Sequence, residues 1–255
     1  MLVVRSLAFN VLFYLSLILW LILLIPCTLL PRKSFVRCVQ AWGRFSLWLM
    51  RVTAGTRVEF RGLDNIPSGG LLVASKHQSF LETFALVTMV DDPTFILKRE
   101  LTWIPFFGWY TLKAGQISVD RSAGTLALVQ MNERARVEAA RGRQILIFPE
   151  GTRRAPGAEP SYKFGIVHLY GETGMTCLPI ALNSGLFWPR RSFLRYPGTI
   201  VAEILDPIVP GLSKDEFAAR LQQDVETATA RLIAEGEREL AKSGIRSAPA
   251  ARTSA

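Results

Sequence analysis

The sequence contains two histidines, and the first of them, His77, stands where catalytic side chains are often found. It directly follows an apolar strand candidate at residues 71–76, and in open α/β folds functional sites gather at the carboxyl ends of strands. Glu82 stands five residues further along the chain. If His77 lies in a loop and a helix begins near Ser79, the Glu82 carboxylate can reach back to the imidazole, as in acid–base catalytic pairs.

The same segment also has a purely structural interpretation. Ser79 and Glu82 have the spacing of a capping box, which accounts for the glutamate without catalysis. A histidine at a strand end can equally be satisfied by backbone groups, so these residues alone leave the choice open. His168 lies between Val167 and Leu169 in a helical stretch, where a packing role in the core or at the surface is the expected one.

A second group of candidate residues follows the apolar strand at residues 144–148. Gly151 permits a tight turn there, and Arg153 offers a guanidinium fork suited to phosphate. Lys98 and Arg99 also follow the residues 94–97 with which another predicted strand begins. A single basic residue is most often a solvated charge, but several of them at strand ends indicate an anionic ligand.

A sheet is needed to bring these residues together, and the chain after Arg51 has short apolar strands that alternate with helical segments. This alternation predicts an α/β fold, an αβα sandwich with a largely buried mixed sheet. The strand candidates are residues 57–61, 71–76, 94–99, 116–121, 144–148, 177–183 and 199–205. The helical candidates are residues 79–89, 123–140, 162–172 and 213–241, the last with Ser213 and Glu216 at capping-box spacing.

The N-terminal segment is typical of a membrane segment. No charged residue stands between Ser6 and Pro31, and the run is long enough to cross a bilayer. A secretory signal peptide is the alternative, but no small-residue cleavage site follows, and the run ends with Arg32 and Lys33. The sequence therefore predicts a membrane anchor.

A second helix is expected after it. Arg37, Arg44 and Arg51 are seven residues apart and share one helical face among apolar residues, which suits the headgroup region of a bilayer. A core helix with a solvated arginine stripe is the alternative. The basic flank predicts that this side faces the cytoplasm, at the inner membrane. The predicted organisation is membrane-anchoring helices at 1–51, a catalytic domain at 52–242 and a disordered tail at 243–255.

Composition restricts the classes of partner. A net charge of +9 fits an anionic membrane leaflet or a nucleic acid, and the apolar N-terminal segment favours membrane lipids and argues against nucleic acid. The three cysteines have neither zinc-site spacing nor the spacing of a disulfide framework, so neither a metal nor a cofactor is expected. The sequence also lacks the nucleophile elbow of serine hydrolases and the glycine signature of a phosphate loop.

Together these residues resemble the 1-acylglycerol-3-phosphate acyltransferases of phospholipid synthesis, over about residues 58–217. The first motif of that family, a histidine and an aspartate separated by four residues, corresponds here to His77 and Glu82, with glutamate in place of aspartate. The third motif matches residues 148–153 closely. Weaker matches are residues 98–100 with Pro105 and Gly108, residues 178–181, and residues 162–165, where the family usually has proline at Phe164.

The resemblance implies transfer of a fatty acyl group from acyl-CoA or acyl carrier protein to the sn-2 hydroxyl of lysophosphatidic acid. His77 is then the general base, and Glu82 orients it. The residues implied in substrate binding are Lys98, Arg99, Glu150, Gly151, Thr152 and Arg153, with Glu150 either contacting the acceptor or bracing its loop. Another lysolipid or glycerol 3-phosphate as acceptor, and a non-catalytic lipid-binding protein of the same fold, are the alternatives.

Overall fold

The computed structural model describes residues 1–245, apart from the side chain of Arg121. Its helices are α1 (Leu2–Cys27), α2 (Arg32–Thr53), α3 (Glu82–Ala85), α4 (Phe107–Lys113), α5 (Gly124–Ala140), α6 (Gly165–Thr173), α7 (Ser184–Phe187) and α8 (Lys214–Lys242). Its strands are β1 (Thr56–Arg61), β2 (Leu71–Ser75), β3 (Pro93–Lys98), β4 (Ile117–Val119), β5 (Gln144–Ile147), β6 (Cys177–Leu182) and β7 (Gly198–Ile204). Each strand lies within two residues of its predicted bounds.

The strands form one sheet in the order β1-β7-β6-β2-β5-β3-β4. All neighbouring strands are parallel except β6 and β7, which are antiparallel. The predicted mixed sheet is therefore confirmed. Because β6, β2, β5 and β3 are adjacent and parallel, the four loops that follow them leave from one edge of the sheet.

Helices cover both faces of the sheet, as an αβα sandwich requires. Alternate residues of β2 point to opposite faces, as the pleat dictates. Leu72 and Ala74 pack with residues of α5, α6 and α8, while Leu71 and Val73 pack with residues that follow α3. Helix α8 begins with the predicted capping box between Ser213 and Glu216.

A buried arginine ties helix α2 to the sheet. The Arg143 side chain is fully buried and donates to Asp92 Oδ1 at 3.2 Å and to Glu138 Oε2 at 2.7 Å. Arg32, the first residue of α2, donates to the other oxygen of Asp92 at 2.6 Å. A buried charge of this kind is tolerated when it is paired and hydrogen-bonded.

Helix α1 contacts the remainder of the chain along one face. Near its start, the Asn10 side chain donates to the carbonyl of Phe193 at 2.8 Å. Near its end, the Tyr110 hydroxyl donates to the carbonyl of Leu21. The other faces of α1 expose large apolar side chains. Among residues 1–245, α1 is the one helix that is long and apolar enough to cross a bilayer.

Helix α2 packs its apolar face against the remainder of the chain and exposes Arg37, Arg44 and Arg51. The shared face that the spacing predicts is thus present. Both a headgroup location and a solvated stripe remain compatible with that arrangement.

One predicted helix differs from the structure, and two short helices were not predicted. The helix expected at 79–89 is shorter, because α3 begins at Glu82 and continues as a 3-10 turn at Leu86–Thr88. Helices α4 and α7 were not predicted, since each is too short to show a helical apolar period. Helix α8 ends at Lys242, and most of the tail predicted to be disordered, residues 246–255, lies outside the described residues.

Candidate active site

The sheet brings the candidate residues to one edge. His77 follows β2, residues 148–153 follow the neighbouring β5, and Lys98 ends β3 on the far side of β5. Ser184, at the start of α7, follows β6 on the other side of β2. Four adjacent parallel strands therefore present these side chains together, as is usual for sites in α/β folds.

His77 and Glu82 are in direct contact. The imidazole Nδ1 lies 2.8 Å from Glu82 Oε2, a hydrogen-bond distance. Residues 77–81 form a loop and Glu82 opens the first turn of α3, so its side chain reaches back to the ring as predicted. The Glu82 side chain is 0% exposed and that of His77 is 13% exposed.

The Glu82 carboxylate accepts further hydrogen bonds. The Ser79 backbone N–H donates to Oε2 at 2.9 Å, and the Ser79 hydroxyl donates to Oε1 at 3.0 Å. The Ser184 hydroxyl also donates to Oε1. A fully buried carboxylate requires such donors, since an unsatisfied buried charge is strongly unfavourable.

The capping-box interpretation is half correct. Glu82 accepts from the Ser79 N–H as in a capping box, but the Ser79 hydroxyl accepts from the Leu81 N–H at 3.0 Å and is not a helix cap. The same carboxylate that contacts the loop backbone also contacts His77. The structural and catalytic interpretations are therefore compatible.

Both the ring and the backbone of His77 are held in place. It stacks on Phe148 with ring centres 3.9 Å apart and planes 12° from parallel. The His77 carbonyl accepts from the Arg154 N–H at 2.8 Å. Within residues 1–245 no hydrogen bond to the imidazole Nε2 is present, so that nitrogen is available to a substrate.

Glu150 belongs to a buried charge network beneath the site. Lys76 Nζ donates to Glu150 Oε1 at 3.0 Å and to Glu226 Oε1 at 2.6 Å, and Tyr162 donates to Glu226 at 3.0 Å. Burial raises the pKa of the Glu150 carboxyl, and the Lys76 ammonium offsets this only in part. Of the two roles expected of Glu150, this burial favours bracing the loop over contact with the acceptor.

The loop after β5 has a positively charged surface. Gly151 adopts a φ of 65°, and its N–H donates to the Phe148 carbonyl at 2.9 Å, which forms the predicted tight turn. Thr152 is exposed and Arg153 is partly exposed. Arg190 donates to the Arg153 carbonyl at 3.0 Å.

Three arginines around this loop, Arg153, Arg190 and Arg191, lie close enough to influence one another. Partial desolvation, followed by the charges of Arg191 and Arg153, lowers the pKa of Arg190. None of these three arginines belongs to an ion pair among residues 1–245. Concentrated positive charge without internal compensation favours binding of an anion.

The two cations at the end of β3, Lys98 and Arg99, have different surroundings. Lys98 is exposed at the last position of the strand. Arg99 pairs with Asp120 at 2.9 Å and lies 5.7 Å from the centre of the Trp103 ring. Lys98 is therefore the freer of the two cations. The second histidine, His168, lies on α6 with its ring edge-on to Phe164.

Comparison with known proteins identifies the family. The chain is 43% identical over 173 residues to the 1-acyl-sn-glycerol-3-phosphate acyltransferase of Pseudomonas aeruginosa, which is 68% of this chain and 67% of that protein. The chain belongs to the 1-acyl-sn-glycerol-3-phosphate acyltransferase family. A model of the acyltransferase family matches residues 57–183, which contain the loops after β2, β3 and β5.

Other acyltransferases of this name are more distant. The Mus musculus alpha enzyme is 31% identical over 170 residues, 65% of this chain and 60% of its own length. The Cocos nucifera enzyme is 27% identical over 168 residues and is covered over 53% of its length. The crystal structure of the Thermotoga maritima 1-acyl-sn-glycerophosphate acyltransferase shares the fold, with a TM-score of 0.75 and 22% identity over 91% of this chain and 99% of that one.

Three contacts of this acyltransferase were not predicted from its sequence. Ser184 contacts a carboxylate 102 positions away, and Lys76 contacts Glu226 across 150 positions. Arg190 lies on a loop that no sequence pattern connects to Arg153. For Ser184 a signal did exist, because it follows the strand that contains the fourth family motif.

Proposed function

We propose that this acyltransferase moves a fatty acyl group from an acyl thioester to the sn-2 hydroxyl of lysophosphatidic acid, giving phosphatidic acid. The observation that supports it best is the contact between His77 and Glu82, with the other ring nitrogen open, at the sheet edge that also presents Arg153. The names of the Pseudomonas aeruginosa and Mus musculus relatives indicate the same acceptor.

The proposed chemistry is a direct transfer. An alcohol is a poor nucleophile at neutral pH, so Nε2 of His77 takes the hydroxyl proton as the oxygen attacks the thioester carbonyl carbon. Glu82 fixes the ring through Nδ1 and stabilises the imidazolium that forms. The tetrahedral intermediate then collapses, the carbon–sulfur bond breaks, and the departing thiolate takes the proton from His77. No acyl-enzyme is required.

The acceptor phosphate is held by arginine in this proposal. Arg153 and Arg190 belong to neighbouring loops and have no acidic partner among residues 1–245, and their guanidinium groups suit bidentate contact with phosphate. Lys98 adds a third cation at the same sheet edge. Gly151 and Thr152 shape the turn that presents Arg153.

The location proposed for the protein is the cytoplasmic leaflet of the inner membrane. Helix α1 contacts the catalytic domain near both of its ends, through Ser6 and through Leu21. A helix that crosses the bilayer cannot touch one aqueous domain at both ends, so these contacts favour a helical hairpin lying in one leaflet. The exposed arginines of α2 suit anionic headgroups there.

The test uses the full-length protein in vesicles of phosphatidylcholine and phosphatidylglycerol. Lysophosphatidic acid is supplied with oleoyl-CoA or with oleoyl acyl carrier protein, and phosphatidic acid is measured by mass spectrometry. We expect product only when acceptor and donor are both present. Lysophosphatidylcholine and glycerol 3-phosphate replace the acceptor in matched reactions. Equal turnover of either would contradict the assignment of the acceptor, and no product with either donor would favour the lipid-binding alternative.

A further inference from the structure

A second apolar surface lies outside the N-terminal helices. Residues 101–112, which contain α4, include no charged residue. The exposed large apolar side chains of this apolar α4 segment are Leu101, Trp103, Ile104, Phe106, Phe107, Trp109 and Leu112. Trp103, Trp109 and Leu112 are 66%, 62% and 69% exposed, which is unusual for a contiguous group on a surface facing water.

This segment is continuous with the exposed apolar surface of α1. Tyr110 donates its hydroxyl hydrogen bond to the Leu21 carbonyl, and Tyr110 and Ala114 pack in one cluster with Leu24 of α1 and Phe35 of α2. The α4 segment is therefore fixed beside the helix that the sequence and structure associate with lipid. A partner that covers α1 reaches the α4 segment as well.

The three hydroxyl side chains of the segment are satisfied internally. Thr102 donates to the Arg99 carbonyl at 2.6 Å, Thr111 donates to the Gly108 carbonyl at 2.7 Å, and Tyr110 donates to α1. Internal satisfaction is what hydrocarbon demands, because lipid chains offer no hydrogen-bond partners. A protein partner would not require it.

The ends of the segment carry charge. Lys98, Arg99 and Glu100 precede it and Lys113 follows it, so the net charge is positive on both sides of the apolar run. Tryptophan near cationic residues is typical of the boundary between acyl chains and headgroups.

We propose that the apolar α4 segment is a second membrane contact, with Trp103, Trp109 and Leu112 among the lipid acyl chains. The proposal rests on the proposed membrane location. It places Lys98 at the level of the lipid headgroups, so that a phosphate attached to a membrane-embedded acyl chain meets the carboxyl end of β3. The acceptor then reaches the site without leaving the leaflet.

The first test is depth-dependent quenching of tryptophan fluorescence. Full-length protein and its Trp103→Phe/Trp109→Phe variant are placed in vesicles whose acyl chains carry bromine, and in matched vesicles without bromine. The difference in emission between the two proteins reports these two indoles. We expect brominated chains to quench at least half of that difference and aqueous acrylamide to quench little of it. Quenching by acrylamide and not by bromine would overturn the proposal.

The second test inserts a charge. Leu112→Asp is compared with Leu126→Asp, since Leu126 is also an exposed leucine, 56% exposed, on α5. We expect Leu112→Asp to lower activity on vesicle-embedded acceptor about tenfold, to retain activity in mixed detergent micelles, and Leu126→Asp to change neither. Equal effects of the two variants on vesicles would contradict the lipid contact. If the wild-type protein has no activity in micelles, that result would instead contradict the proposed function.

Self-association is the competing explanation for the exposed segment. Sedimentation of the detergent-solubilised wild type and of the Trp103→Phe/Trp109→Phe variant distinguishes it. A monomer in both cases supports the lipid contact. A wild-type dimer that dissociates in the variant would overturn the proposal in favour of an interface between copies.

Discussion

The Ser184 hydroxyl donates a hydrogen bond to Oε1 of Glu82, the carboxylate whose other oxygen contacts Nδ1 of His77. This bond joins the loop after β6 to the loop after β2. Since Ser184 does not contact His77 itself, its role is to position the Glu82 carboxylate.

Replacing Ser184 by alanine tests that positioning role. A hydrogen bond to a charged group contributes about 1.5–3 kcal/mol, so we expect Ser184→Ala to lower kcat about tenfold or more. The KM for lysophosphatidic acid should stay within twofold, because the phosphate contacts are untouched. Ser184→Thr retains the hydroxyl and should recover most of kcat. A rise in KM with unchanged kcat would contradict the positioning role.

The buried Lys76 network predicts a coupling between charges. Lys76→Met leaves the Glu150 carboxylate buried without its cation, which should cost about 3–5 kcal/mol of the free energy of unfolding. In Lys76→Met/Glu150→Gln both charges are absent, and stability should recover in part. The free energies of unfolding of the single and double variants are measured by denaturant unfolding, followed by circular dichroism. If the two substitutions simply add, Lys76 and Glu150 are not coupled in the folded protein.

The arginine cluster predicts a selective effect on acceptor binding. Arg153→Ala should raise the KM for lysophosphatidic acid about tenfold or more, because a charge-assisted contact to phosphate is lost. Arg190→Ala should raise it about threefold. The KM for the acyl donor should not change. Arg136→Ala is the matched control, since Arg136 pairs with Glu172 on the surface and should leave both constants unchanged.

Asp92 predicts a pH dependence of stability. Burial raises the pKa of Asp92, but the hydrogen bond from Arg32 and the charge of Arg143 outweigh it, and the pKa lies below its ordinary value. A carboxyl whose pKa is lower in the folded state stabilises above its unfolded pKa of about 4 and loses that contribution as pH falls through the folded pKa. Asp92→Asn should therefore cost about 3–5 kcal/mol at pH 7 and less at pH 3.

The measurement for Asp92 is denaturant unfolding of wild type and variant at the two pH values. Glu172→Gln, which removes a carboxylate from an exposed pair, should cost about 1 kcal/mol or less at pH 7. A cost of Asp92→Asn that stays constant or grows on acidification would contradict the assigned direction of the pKa shift.

Much of this structure could be predicted from local patterns in the sequence. Short apolar runs predicted all seven strands. The five-residue spacing of His77 and Glu82 allowed their contact on the condition that a helix begins after His77, and the structure meets that condition. The partners of Lys76 and Ser184 could not be predicted, because they depend on which strands become neighbours. Helix α4 was missed for another reason: its seven residues are too few to show a helical apolar period.

The proposed mechanism depends on His77 as the general base, and a comparison of His77→Ala with His168→Ala tests that role most directly. Thiol release from oleoyl-CoA is measured with and without lysophosphatidic acid, and the intact mass of each protein is recorded during turnover. We expect acceptor-dependent release by wild type and by His168→Ala, a loss of about 10²- to 10⁴-fold in His77→Ala, and no acylated protein. Equal release by His77→Ala and wild type, or an accumulating acyl-enzyme, would contradict direct transfer with His77 as the base.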